Sequence, residues 1–300
     1  MTTTSTDPDP FFVFGEAMIE LSGVSKSGAK IGVAGDTYNT AVYLSRAGIN
    51  ARYVTALGDD PFSQRIISAM QKEHIDTASI LEIPGGSPGL YAIEVDDAGE
   101  RSFTYWRSAS AVRGFFGQNG TDKIVADMKR AKTLYLSGIT LSLFDAAGRQ
   151  NISDIMQAVR AGGGQVVFDT NYRARGWISR DEAAQAIEAI MPLVSTALPT
   201  WEDEKDLFGV VDAESCAARW HRVGASEVVV KAGEQGAYSK ETGWISPPRI
   251  ITPIDTTGAG DSFNGAYLAA RLHGSSLADA IAQGHALTAK VLLTNGAIIQ

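Results

Sequence analysis

Short apolar runs alternate with helical segments along most of this chain, and that alternation leaves few architectures open. FFVF at 11–14, ARYVTAL at 51–57, the start of TLYLSGITLSL at 133–143, Gln165 to Asp169 and Ser195 to Leu198 read as strands. Amphipathic segments separate them. In GDDPFSQRIISAMQKEHI, Asp60 suits a helix cap, Pro61 suits the first helical position, and Phe62, Ile66, Ala69 and Met70 form a candidate buried stripe. Further helices are expected up to about Ala161, from Arg180 to about Met191 and from Leu277 to about Leu293. Consecutive parallel strands need such crossovers, so the pattern predicts an α/β fold with a mainly parallel sheet and helices on its faces. With 300 residues and 44% hydrophobic content there is enough apolar surface for a large core. Residues 11–300 are expected to form a single domain, and the polar start MTTTSTDPDP to be disordered.

One stretch breaks the alternation. LYAIEVDDAGERSFTYWR reads as two period-two runs around an acidic, glycine-containing turn, hence a β-hairpin. We expect a small lid built from parts of residues 17–34 and 88–112. On one hairpin strand Phe103, Tyr105 and Arg107 share a face opposite Ser102, Thr104 and Trp106. Aromatics beside an arginine fit an exposed strand face with a snorkelling side chain, or a pocket wall that reads a sugar and its carboxylate. Spacing alone leaves both readings open.

Near the C-terminus, IDTTGAGDSFNGAYLAARL reads as a strand end, a glycine turn and a helix whose buried face carries Phe263, Ala266, Tyr267 and Ala270. Gly258 and Gly260 flank Ala259 where unpaired N–H groups at a helix start favour an anion. Asp261 either caps this helix or serves a second substrate, orienting a hydroxyl and accepting its proton. Earlier, Gly35 precedes Asp36, a reasonable N-cap, and Tyr38, Ala41, Val42 and Ser45 share a helix face until Gly48. Taken alone, Asn39 in that helix reads as solvent-facing. Asn171 and Arg173 follow a strand at the sheet edge where ligands of open α/β sheets bind. Gly233 and Gly236 either lie against a nucleotide or are hairpin turn residues.

Composition removes several classes. A formal charge of −8 and a pI near 5.1 argue against a nucleic-acid surface. A single cysteine, Cys216, excludes an internal disulfide and fits a reducing compartment. The four histidines show no metal-ligand spacing, and no apolar run is long enough to span a bilayer. The start lacks signal-peptide features, so a cytoplasmic protein that binds neither membrane nor nucleic acid is expected.

DTTGAGDSFNGAYL resembles the nucleotide-side signature of the ribokinase (PfkB-type) carbohydrate kinases, and the chain has no GxxxxGK[ST] motif. The likeness extends through GEAMIELS, GDTYNTAVYLSRAG, PGLYAIEVDDAGERSFTYWR, LYLSGIT, FDTNYRARGW and VVVKAGEQGAY, from about residue 12 to the end. Within the family these segments are most similar to members acting on 2-keto-3-deoxygluconate. The resemblance implies a ribokinase-like fold and ATP-dependent phosphorylation of that acidic sugar at its terminal hydroxyl. It implies Asp261 as base and the Gly258, Ala259 and Gly260 turn as anion hole. Gly35, Asp36, Asn39, Tyr91, Tyr105, Arg107 and Arg173 would contact the sugar, the two arginines reading its carboxylate. Asn171, Lys231, Gly233, Gly236, Gly258 and Gly260 would face the nucleotide. Mg2+ is expected on the ATP phosphates, held mainly by phosphates and waters. The family's Asn-x-x-Glu is incomplete here, since Trp201 takes the Asn position, which leaves Glu204 as the candidate metal residue. An apolar outer lid face carrying Trp106 points to a homodimer or larger assembly through the lid. Other kinases of this fold, for fructose, a nucleoside or the galactonate epimer, are the alternatives within enzymes. A sugar-binding regulator without turnover is the alternative outside them, against which the intact Asp261 and glycine turn speak.

Overall fold

The computed structural model describes residues 9–25, 28–95 and 101–299. Of the first ten residues, expected to be disordered, the first eight lie outside the described residues, as do residues 96–100, where the hairpin turn was expected. Seven strands form the main sheet: β1 (Phe11–Phe14), β4 (Ala51–Leu57), β5 (Asp76–Glu82), β8 (Thr133–Ser137), β9 (Gln165–Asp169), β10 (Thr196–Ala197) and β11 (Glu227–Val228). Their order is β11-β10-β9-β8-β1-β4-β5, and every pairing is parallel. From β1 the chain winds outward through β4 and β5, and from β8 it winds the other way. The switch therefore falls between β1 and β8, where open α/β sheets bind ligands.

FFVF is apolar at every position because both faces of the sheet are covered. Phe12 and Phe14 pack with Leu134, Leu136 and Phe168 under α3 (Thr121–Met128), α5 (Ala146–Ala161), α6 (Arg180–Ile190), α7 (Trp201–Phe208) and α8 (Ala213–Arg222). Phe11 and Val13 face the opposite core with Tyr53, Tyr135 and Val167, under α1 (Asp36–Arg46), α2 (Pro61–Lys72), α9 (Ala259–Leu272) and α10 (Leu277–Val291). Helices thus cover both faces, as the alternation requires.

The lid is a four-stranded sheet, β3-β2-β6-β7, made of β2 (Met18–Ser25), β3 (Gly28–Ala34), β6 (Leu90–Val95) and β7 (Arg101–Trp106). β6 and β7 pair antiparallel with Tyr91 opposite Tyr105, the expected hairpin. A third sheet, β12 (Val230–Lys231), β13 (Ala237–Ser239) and β14 (Gly243–Ile245), follows β11.

Several local readings change. In α2, Asp60 does cap Phe62 and Ser63, but Phe62 is 41% exposed and Ser63 takes the buried place, accepting from Gly58 N. A hydroxyl one turn from the cap satisfies a backbone donor that Phe62 could not. The segment after LYLS is a short helix, α4 (Gly138–Ser142), closed by a capping box of Ser137 and Thr140. Residues 254–257 form no strand. The N-cap of α1 is Gly35, not Asp36, and no side chain caps that end.

Candidate active site

The α9 start carries the geometry expected of an anion turn. Gly258 is the N-cap with φ 73°, and a Cβ there would lie 2.5 Å from Ala297 Cβ. Only glycine meets both demands. Ala259 N donates to Thr256 O and Ser262 N to Gly258 O, whereas the Gly260 and Asp261 N–H groups have no acceptor among the described residues. Two open donors at the positive end of a 14-residue helix form a cradle that suits a phosphoryl oxygen.

Asp261 lies in the first turn of α9, and α1 packs beside that helix so that Asn39 Nδ2 donates to Asp261 Oδ2 at 2.8 Å. Asn39 is therefore not a solvent-facing residue; it is buried and touches the candidate base. Because Gly35, not Asp36, takes the cap, the Asp36 side chain is free to reach the switch point. Its Oδ2 accepts from Ser137 Oγ at 2.5 Å and from Asn171 Nδ2 at 3.0 Å. A Cβ on Gly35 would stand 2.2 Å from Glu16 O, so this glycine lets the β2 entry and the α1 start meet. Asn171 holds φ 29°, an unfavourable backbone for a non-glycine residue, stabilised as its N–H donates to Asp169 Oδ1.

Charge is concentrated here. Burial foremost, then the Asp36 charge, pushes Asp261 up to about 8, against the Asn39 hydrogen bond that favours ionisation. Burial likewise raises Asp36, with the Asp169 charge adding to it while the Ser137 hydrogen bond opposes it. Beneath them Lys231 Nζ donates to Asp169 Oδ2 at 2.9 Å and to Asn264 Oδ1 at 3.1 Å, and Asn264 Nδ2 donates to Asp169 at 2.6 Å. A residue expected on the nucleotide side thus compensates a buried carboxylate directly below Gly260, whose added Cβ would be 3.6 Å from Lys231 Nζ.

On the lid, Tyr91, Phe103 and Tyr105 form a ladder, with Tyr91 and Tyr105 stacked at 5.6 Å. Tyr91 donates to Glu20, and burial together with the Glu20 charge raises its phenol, with the Asp261 charge contributing. Arg107 pairs with Glu16 at 2.5 Å. Arg173 is not gathered with these groups: it donates to Tyr172 O at 2.7 Å and lies 3.5 Å from Asp203, with 59% of its side chain exposed. Burial, opposed by Arg173, raises that Asp203 to about 6.

Glu204, the candidate metal residue, is fully buried; its Oε1 accepts from Thr170 Oγ1 at 2.8 Å and Trp220 Nε1 at 3.0 Å, and its Oε2 lies 3.5 Å from Arg219 Nη1. No group of three or more His, Cys, Asp or Glu among the described residues could hold a metal ion. Gly236 is needed by its hairpin, because a Cβ would meet Ile245 O at 2.3 Å; Gly233 is far less crowded and also has positive φ. Ser137, Asp169 and Asn264 escaped the sequence reading. The signal available for each was a polar residue at the end of an apolar strand or inside an apolar helix face.

A lidded parallel sheet, with an acid beside a helix-terminal anion cradle at the switch point, defines a ribokinase-like phosphotransferase for small hydroxylated substrates. The pfkB family carbohydrate kinase model matches residues 11–300, and the chain belongs to that family. It is 40% identical over 299 residues to a 2-dehydro-3-deoxygluconokinase of Escherichia coli K12, covering 96% of both chains. It is 36% identical to the 2-dehydro-3-deoxygluconokinase of Haemophilus influenzae, covering 95% of this chain and 94% of that one. The fold matches the solved 2-dehydro-3-deoxygluconokinase of Thermotoga maritima with TM-score 0.83 at 21% identity, over 97% and 96% of the two chains. It also matches Vibrio cholerae fructokinase bound to fructose, ADP and calcium, with TM-score 0.82 at 22% identity over 96% and 94%. The enzyme class is accordingly that of a sugar kinase, and kinases of this family use ATP.

Proposed function

We propose that this chain phosphorylates 2-dehydro-3-deoxy-D-gluconate on its terminal hydroxyl, giving the 6-phosphate and ADP. The observation that carries the reading is Asp261, held by Asn39 at 2.8 Å between the open Gly260 amide and the Asp36 site. A hydroxyl placed there has a base on one side and the anion cradle on the other, as in-line phosphoryl transfer needs. Asp36 and Asn39 hold the sugar chain, and Asp261 orients the terminal hydroxyl and takes its proton as the O–P bond forms. The Gly260 and Asp261 amides hold the transferring group. Mg2+ on the ATP phosphates would supply charge neutralisation, held mainly by phosphates and waters.

The 40% identity to a 2-dehydro-3-deoxygluconokinase supports the choice of substrate. So does the placement of Arg107 at the base of an aromatic lid face, where a guanidinium suits a carboxylate that fructose lacks. Arg173 reaches that carboxylate only by leaving Asp203. The lid's exposed Trp106 and Ile31, 58% and 39% accessible, suit association of two copies through their lids. Coupled ADP release over 2-keto-3-deoxygluconate, its galactonate epimer and fructose tests the substrate. Highest kcat/KM on the gluconate form is expected, and preference for fructose would overturn the proposal. Sugar binding without any ADP release would make the chain a regulator.

A further inference from the structure

Four chain passages join the lid to the main sheet, and all four meet at one residue that the mechanism above does not use. β1 enters β2 through Gly15, Glu16 and Ala17; β3 leaves through Gly35; residues 83–89 lead from β5 into β6; and Arg107 leads β7 back to the core. Glu16 lies in the first passage. Its backbone oxygen is 2.2 Å from where a Gly35 Cβ would stand, and its Oε1 is 2.6 Å from where a Gly89 Cβ would stand. Its Oε2 is 2.5 Å from Arg107 Nη2. The side chain is 2% exposed, and neither oxygen has a hydrogen-bond partner among the described residues, so the Arg107 charge is what compensates it. Arg107 Nε and Nη2 are buried and also lack hydrogen bonds, while 17% of its side chain stays accessible. Arg113 Nε donates to Arg107 O at 3.1 Å and its Nη1 to Leu143 O at 3.0 Å, which pins the backbone that carries Arg107.

We propose that Glu16 is the positioning residue for Arg107: its buried carboxylate fixes the inner edge of the guanidinium, which leaves the accessible edge turned toward the substrate's carboxylate. This rests on the reading that Arg107 recognises an acidic sugar. A free arginine has several rotatable bonds to order when it binds, and a fixed one has fewer, so Glu16 strengthens acid recognition although it is itself an anion. Glu16 touches neither substrate nor ATP in this scheme, and its effect belongs in KM for the acid, not in kcat.

The test compares 2-keto-3-deoxygluconate with its analogue in which the carboxylate is reduced to an alcohol. For Glu16→Gln the KM for the acid should rise about tenfold, as expected when a binding group loses its alignment, with kcat within about twofold and KM for ATP unchanged. Glu16→Asp should restore part of the preference for the acid. An unchanged or increased acid preference in Glu16→Gln, or equal losses on acid and analogue, would overturn the positioning role. Should Glu16→Gln fail to fold, the pair Glu16→Gln/Arg107→Met removes both buried charges together. It should show the same acid preference as Arg107→Met alone, and a further loss would overturn the proposal. Arg107→Met without loss of acid preference would instead sink the carboxylate reading itself, whereas a loss there with none in Glu16→Gln removes only the role of Glu16.

Discussion

Asp261→Asn should make the protein more stable and nearly inactive. The folded protein raises this carboxyl from 3.8 to about 8, mainly through burial and the neighbouring Asp36 charge. A shift of about four units corresponds to roughly 5–6 kcal/mol of preference for the neutral form. Asp36 and Asp261 are both half-buried residues, not fully enclosed ones. Screening and relaxation therefore reduce the measurable effect to about 1–3 kcal/mol. The sign follows from linkage: with its pKa higher in the folded state, the acid is tolerated below about pH 4, and destabilises the fold increasingly as pH rises through 8. Asparagine is neutral throughout and keeps the oxygen that accepts from Asn39. Urea unfolding of both proteins without sugar or nucleotide, at pH 5, 7 and 9, should show the advantage of Asn growing with pH. A difference independent of pH, or one that shrinks as pH rises, would refute the assignment of a strained, proton-holding base. In the same variant kcat should fall roughly 10²- to 10⁴-fold, the range for loss of a positioned base.

The other predictions concern the groups around it. In the wild-type enzyme kcat/KM should drop on the acid side of about pH 8, as Asp261 gains its proton. Asn39→Ala removes the hydrogen bond that favours the ionised base, so that limb should move to higher pH, and an unmoved profile would separate Asn39 from the base. Gly258→Ala forces a Cβ to 2.5 Å from Ala297 at φ 73°, and should cost about 1–3 kcal/mol with ATP affinity lost alongside; thermal unfolding and nucleotide titration read the two effects. Glu204→Ala leaves Thr170 and Trp220 without their acceptor, and should cost about 3–5 kcal/mol while leaving the Mg2+ dependence of kcat where it was. A shift in that dependence would return Glu204 to the metal.

What could be read from the chain follows physical lines. The α/β alternation was legible because strands buried on both faces, like FFVF, are apolar at every position. β5 was not, since only Ser79 and Leu81 of DTASILE are buried, and an edge strand with polar ends lacks either signature. The glycine turn announced an anion cradle by backbone chemistry alone. Asn39 did not announce itself, because its partner lies 222 residues away, and sequence periodicity cannot see a contact of that range. The same holds for Lys231 with Asp169 and for Ser137 with Asp36. For Glu204 the motif position was legible, but not its full burial inside the core.

The most direct measurement is the product itself. Enzyme, ATP, Mg2+ and 2-keto-3-deoxygluconate should yield ADP and a single new phosphomonoester. With proton coupling left on, its phosphorus resonance should be split into a triplet by the two hydrogens of the terminal carbon. A doublet from a secondary carbon, or ADP formed without any ester, would contradict transfer to the terminal hydroxyl held beside Asp261.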